Sequence, residues 1–158
     1  MKAIVLAGGY ATRLWPITKH RAKPLLPLAG KRILDFILED LENEERIDKV
    51  YISTNKRFKE DFNKYLENSD YKKTELFIED TKAEDHKLGT LGAIRLLVEE
   101  ENIQEDCLVV AGDNFYSFSI GEFLNQYESS LKPMVALYDV GSKELARKYG
   151  VVSLDFEN

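Results

Sequence analysis

Residues 3–7 (AIVLA) are apolar without a break and run directly into Gly8-Gly9. A short unbroken apolar run bounded by glycine is the pattern of a strand covered on both faces, as in a parallel sheet. Similar runs recur at 50–53 (VYIS), 75–79 (ELFIE), 107–111 (CLVVA) and 134–140 (MVALYDV), with a further one at 151–156 (VVSLDF). Between them lie segments with helical period. Leu34, Ile37, Leu38 and Leu41 share one face, as do Phe58, Phe62, Tyr65 and Leu66. Leu91, Ile94 and Val98 form a third face, and Ile120, Phe123, Leu124 and Tyr127 a fourth. Ser119 and Glu122 have capping-box spacing at the start of the fourth helix. Strands alternating with helices predict right-handed crossovers and an α/β protein, a three-layer α/β/α sandwich on a mostly parallel sheet. In such sheets ligands sit beyond the carboxyl ends of the strands, so the loops starting at Gly8 and Gly112 are expected to open onto one crevice.

The length of 158 residues suits one domain, 1–158. A net charge of −6 argues against general affinity for nucleic acid or an anionic membrane, which makes the cations of the opening loop a local feature. Cys107 is alone, so no internal disulfide forms, which suits a reducing compartment. No apolar run approaches the roughly 20 residues of a membrane span, and the expected location is the cytoplasm. His20 and His86 sit in polar stretches without partners at metal or catalytic spacing and read as surface residues. Cys107 opens an apolar strand and reads as core, not as a nucleophile.

The loop after Gly8-Gly9 has a physical reading of its own. Glycines after a strand let backbone approach a ligand closely, and successive exposed amides form an anion-binding concavity. Arg13 adds a forked donor for phosphate oxygens and Lys23 a point charge, its position limited by Pro24. Taken alone, Gly-Gly is equally a tight turn beside solvated cations. The dinucleotide fingerprint is missing its glycine spacing, and no Gly-Lys-Ser/Thr of the P-loop occurs. A plain dinucleotide-binding oxidoreductase domain is therefore disfavoured.

The stretch LAGGYATRLWPITKHRAKPLLPLAGKRIL resembles the signature loop of the sugar-1-phosphate nucleotidyltransferases. Gly8, Gly9, Thr12, Arg13, Leu14, Pro16, Thr18, Lys23 and Pro24 match the pattern, and Ala11 stands where glycine is usual. Three shorter matches support it: LGTLGA at 88–93, VAGDN at 110–114 and YGVV at 149–152. The resemblance implies a Rossmann-like sheet and a nucleotide site using Ala7, Gly8, Gly9, Thr12, Arg13, Lys23 and Gly89. It assigns Arg13, Lys23 and Asp113 to catalysis, Asp113 to Mg²⁺, the Gly89 backbone to the base and Gly150 to the sugar. Among Glu79, Asp80 and Thr81, any of which could add a base contact, the sequence sets no order.

The reaction implied joins a nucleoside triphosphate to a hexose 1-phosphate, giving a nucleoside-diphosphate sugar and pyrophosphate. Neither nucleic acid nor a membrane is an expected partner, and association into a homo-oligomer is left open. The resemblance covers the nucleotide-side part of the family's catalytic domain. The Glu-Lys-Pro lysine and second metal-binding aspartate of that family do not occur after residue 150. A C-terminally truncated chain with weak turnover is therefore expected; the alternative is a non-catalytic nucleotide or nucleotide-sugar binding or regulatory module.

Overall fold

The computed structural model describes residues 1–79 and 89–153, and the chain divides into two compact units, Met1–Phe123 and Leu124–Asn158. In the first unit the strands β1 (Lys2–Leu6), β4 (Lys49–Asn55), β5 (Thr74–Glu79) and β6 (Cys107–Ala111) form one sheet of order β5-β4-β1-β6. All its pairings are parallel. β2 (Pro27–Leu28) and β3 (Lys31–Arg32) make a separate small hairpin. Helices α1 (Ile33–Asn43), α2 (Lys59–Glu67) and α3 (Gly89–Glu100) occupy the crossovers.

Strand order fixes the layers. β1, β4 and β5 advance in one direction, and the chain then returns past β1 to lay down β6. With right-handed crossovers this reversal puts α3 on the face opposite α1 and α2. The α3 face is built on Ile4, Tyr51, Phe77 and Leu97, with Leu6, Ile94, Val98 and Cys107 packed against them. Ala3, Val5, Val50 and Ile52 alternate with these residues and are fully buried on the other face.

The helices form where the apolar spacing predicts. The stretch ILDFILEDLEN has no Gly or Pro and buries Leu34, Ile37, Leu38 and Leu41. Its start is closed by the Asp35 carboxylate, which accepts from the Arg32 N–H at 2.7 Å. α2 carries Glu60 and Asp61 in its first turn and Lys64 in its last, complementing the helix dipole, and buries Phe62 and Tyr65. In α4 (Ile120–Ser130) the expected cap is present as a 3.4 Å bond from the Glu122 N–H to Ser119 Oγ.

Several expectations are corrected. Residues 134–140 are not a strand: a strand persists by ladder pairing, and this segment pairs with none of the described residues. Residues 151–153 are likewise irregular, and 154–156 lie outside the described residues. The second unit instead holds a short helix, α5 (Lys143–Ala146), started by Ser142 Oγ accepting from the Leu145 N–H. Among the described residues β6 is an edge strand, and Val109 is 43% exposed where an apolar run suggests cover on both faces. Leu91 is 82% exposed, because the buried stripe of α3 runs through Ala93 and Leu97.

That last difference is measurable. Leu97→Ala should cost about 2–5 kcal/mol in urea unfolding, whereas Leu91→Ala should stay within about 0.5 kcal/mol. A comparable loss at both positions would contradict this α3 face.

Candidate functional site: a cavity at the carboxyl edge of the sheet

Leu6, Ser53 and Ala111 stand level in the ladder, so the chain leaves β1 and β6 side by side at one edge. There the loops diverge around a cavity of about 420 Å³. Its lining includes Ala7, Gly8 and Gly9 after β1, Lys23 and Pro24, Asn55 from β4, and Glu79 from β5. Gly89, Thr90 and Ala93 of α3 and Asp113 after β6 complete it. The loops of Gly8 and Gly112 thus meet in one crevice, as expected from the strand ends.

The glycine segment is tied to β4 through both kinds of backbone group: the Ala7 N–H donates to the Ser53 carbonyl at 2.8 Å, and two carbonyls accept from side chains. Asn55 Nδ2 donates to the Gly8 carbonyl at 2.8 Å, and Thr54 Oγ1 donates to the Ala7 carbonyl at 3.2 Å. Both side chains are buried, so neither bond competes strongly with water. Asn55 Oδ1 also accepts from the Arg57 N–H at 2.9 Å, and the Arg57 guanidinium donates to the Lys19 carbonyl at 2.6 Å. The end of β4 and the turn after it therefore hold the signature loop at Gly8 and again at Lys19.

Gly112 is there for space. A β-carbon at Gly112 would meet the Leu6 carbonyl oxygen at 3.0 Å, which would force β6 away from β1. One at Gly8 would meet Glu79 Oε1 at 3.0 Å. Gly89 differs: no atom of the described residues lies within 4 Å of a β-carbon built there, and its φ of +68° is what favours glycine.

Lys23 opens a 3₁₀ turn (Lys23–Leu25) whose Pro24 and Leu25 are buried, and this fixes the base of its side chain. Its Nζ donates to Asp113 Oδ2 at 2.8 Å across 90 positions of sequence. Both side chains are part-exposed, so the pair adds at most about 1 kcal/mol to stability. Its significance is placement: a cation and a carboxylate stand together at the cavity wall. Thr12 and Arg13 fall in another 3₁₀ turn (Thr12–Leu14), are exposed, and are not part of the lining. Gly150 belongs to the second unit and is exposed there. Asp80, Thr81, His86 and Leu88 lie outside the described residues.

Asn55 and Ser53 escaped sequence reasoning, since polar residues ending a strand read simply as a boundary. Ser53 is fully buried and its Oγ donates to Glu79 Oε1 at 2.8 Å; of residues 79–81, only Glu79 is among the described residues. Desolvation pushes the Cys107 thiol above its usual pKa, so it holds its proton, in keeping with an inert packing role. Among the described residues no three His, Cys, Asp or Glu side chains converge as a metal site. None of the helices among them is long and apolar enough to cross a membrane.

An open parallel α/β sheet with a glycine-floored cavity at its carboxyl edge belongs to the class of folds that hold phosphorylated ligands there. The chain belongs to the nucleotidyl transferase family, whose model matches residues 2–158. It is 37% identical over 158 residues to the bifunctional protein GlmU of Methanococcus maripaludis, covering all of this chain and 34% of that protein. It is 30% identical to a Sulfolobus acidocaldarius protein provisionally named a mannose-1-phosphate guanyltransferase, over 98% of this chain and 41% of that one. Among solved structures, a Bacillus anthracis protein provisionally named a glucose-1-phosphate thymidylyltransferase, in complex with a sucrose, superposes with a TM-score of 0.68. That match has 27% identity and covers 82% of this chain and 50% of the other. The chain thus spans between about a third and two fifths of the length of these curated relatives.

Ala11 carries a cost that the cavity loop absorbs. Its φ of 46° and ψ of 44° are left-handed, and it is kept there by Thr18 Oγ1 and the Leu14 N–H, which both donate to its carbonyl. Strain of about 1–2 kcal/mol, less the extra chain entropy of glycine, leaves a net gain of about 0.5–1 kcal/mol for Ala11→Gly. Chemical unfolding of the two chains checks this, and an Ala11→Gly chain less stable than the parent would contradict the strained assignment.

Proposed function

We propose that the cavity binds a nucleoside triphosphate and that the protein transfers its nucleotidyl group to a hexose 1-phosphate, releasing pyrophosphate. The observation that carries this is the convergence of the Gly8-Gly9 segment, Lys23 and Asp113 on one cavity in a chain of the nucleotidyl transferase family. Family membership and the names of the relatives support the reaction class. The choice of base and sugar is not carried by them.

In this reading a sugar-phosphate oxygen attacks the α-phosphorus in line, the bond to the bridging oxygen of the β-phosphate breaks, and pyrophosphate leaves with that electron pair. No side chain forms a covalent intermediate. The protein contributes positioning and neutralisation of charge. The amides of the glycine segment, whose carbonyls Asn55 and Thr54 hold back, face the phosphates. Lys23 exchanges its bond with Asp113 for phosphate oxygens, and Arg13, on its exposed turn, adds a second cation from outside the cavity lining.

Asp113 suits Mg²⁺, which commonly takes one or two carboxylates together with substrate phosphates and water. Bound there, Mg²⁺ would supply charge neutralisation between the two anionic reactants. Release of Asp113 from Lys23 as phosphate arrives frees its carboxylate for that purpose.

Binding without turnover, as in a regulatory module, shares all of these contacts and differs only in product release. The test is pyrophosphate release from a panel of triphosphates and hexose 1-phosphates, alongside triphosphate binding. Lys23→Ala should weaken triphosphate binding by about 10–100-fold with little change in thermal stability. Asp113→Ala should reduce the Mg²⁺ dependence of that binding. Equal triphosphate affinity in parent and Lys23→Ala chains would count against the cavity as the phosphate site.

A further inference from the structure

The turn that carries Arg13 has little burial to hold it. From Ala11 to Arg21 only Thr18 is buried. Its own hydrogen bonds close it on itself: Thr18 Oγ1 and the Leu14 N–H donate to the Ala11 carbonyl, and the Lys19 N–H donates to the Pro16 carbonyl. Among the described residues, a single hydrogen bond ties residues 11–21 to the rest of the chain, from Arg57 Nη2 to the Lys19 carbonyl at 2.6 Å. The same guanidinium lies 5.4 Å from the centroid of the Tyr10 ring and 5.5 Å from that of the buried Phe58. Tyr10 and Lys19 flank the turn on either side, so one planar group grips both.

We infer that Arg57 is a positioning residue, which holds the Arg13 turn in place for the triphosphate without touching the ligand itself. This rests on the nucleotide reading proposed above, in which Arg13 neutralises phosphate. Arg57 is not part of the cavity lining, whereas Tyr10 and Ala11 are, so Arg57 acts through the loop it grips. Its own backbone is fixed from β4: in the 3₁₀ turn Lys56–Phe58, the Arg57 N–H donates to Asn55 Oδ1 at 2.9 Å. Asn55 is buried and bound to the Gly8 carbonyl. Two residues of one short stretch thus set the Gly8 end and the Lys19 end of the loop.

An arginine on an untethered turn must be ordered when phosphate arrives, and that ordering subtracts from affinity. A turn already gripped avoids the cost. The chemistry of the grip also narrows what can replace it. A guanidinium is flat and forked, so it lies against a ring and donates in its plane at once. An ammonium is a point charge that serves the ring or the carbonyl but not both in one geometry. Simple long-range attraction of a polyanion would instead be the same for either cation.

Trp15 is the one tryptophan of the chain and sits in this turn, so its fluorescence reports on the turn alone. The experiment measures Kd for inorganic tripolyphosphate and for ATP, GTP, UTP and dTTP, with Trp15 anisotropy and melting temperature in the absence of ligand. The chains compared are the parent, Arg57→Ala, Arg57→Lys, Arg13→Ala and the double variant of Arg13→Ala with Arg57→Ala. Arg57→Ala should weaken tripolyphosphate binding about tenfold and lower the Trp15 anisotropy, with the melting temperature within about 2 °C of the parent. Arg57→Lys should fall between the two. Once Arg13 is removed, losing Arg57 as well should cost less than about threefold more. Parent-like affinity or anisotropy in Arg57→Ala, full recovery in Arg57→Lys, or effects at residues 13 and 57 that simply multiply each overturn the positioning role and leave the nucleotide reading standing. A melting temperature that falls along with affinity makes Arg57 a general support and overturns it too. A parent chain that binds neither tripolyphosphate nor any of the four nucleotides overturns both readings.

Discussion

The parallel pairing of β1 with strands on both sides is the constraint on which the rest depends. Leu6 lies opposite Ser53 in β4 and Ala111 in β6, so three chain segments reach the same edge at the same height. Parallel strands run in one direction and need crossovers, so every following loop on that edge is a strand end aimed at the same region of space. The reversal of strand order at β1 does the remainder. The loops after β1 and β6 leave the sheet side by side, and together with α3, which lies on the face opposite α1 and α2, they border the cavity.

The cavity is polar in the sense of having two ends. Toward β6 it holds Lys23 with Asp113, and toward β5 it holds Glu79 with Ser53. Between them the glycine segment is fixed by side chains of β4, whose last residues are buried and spend their hydrogen-bonding groups on loop carbonyls. A loop that contains few side chains able to pack is thereby shaped from beneath by the rigid sheet. This is how a flexible sequence can present amides in a fixed array without an apolar core of its own.

The second unit has a different character. Val135, Leu137, Tyr138, Val151 and Val152 are all more than half exposed. Their spacing and residue types have β propensity, yet propensity supplies only a fraction of the free energy of a strand. The larger part comes from cross-strand pairing and burial, which these residues lack among the described ones.

What the sequence by itself determined was local and periodic. The four strands of the sheet, the helical faces of α1 and α2, and the loop from Gly8 to Lys23 were all legible, because burial and turn chemistry leave marks at fixed short spacings. At residue 11 the resemblance marked only an alanine where glycine is usual; the left-handed backbone behind that usage came from the structure. Tertiary structure alone decided what those marks do together. It put Lys23 beside Asp113, buried Ser53 under Glu79, and gave Asn55 the Gly8 carbonyl, contacts separated by 90, 26 and 47 positions. It also chose the Ala93–Leu97 stripe of α3 over Leu91, and exposed β6 at an edge. Contacts of that kind arise from the order and register of strands, and no residue type or spacing along a single chain encodes which strand will be its neighbour.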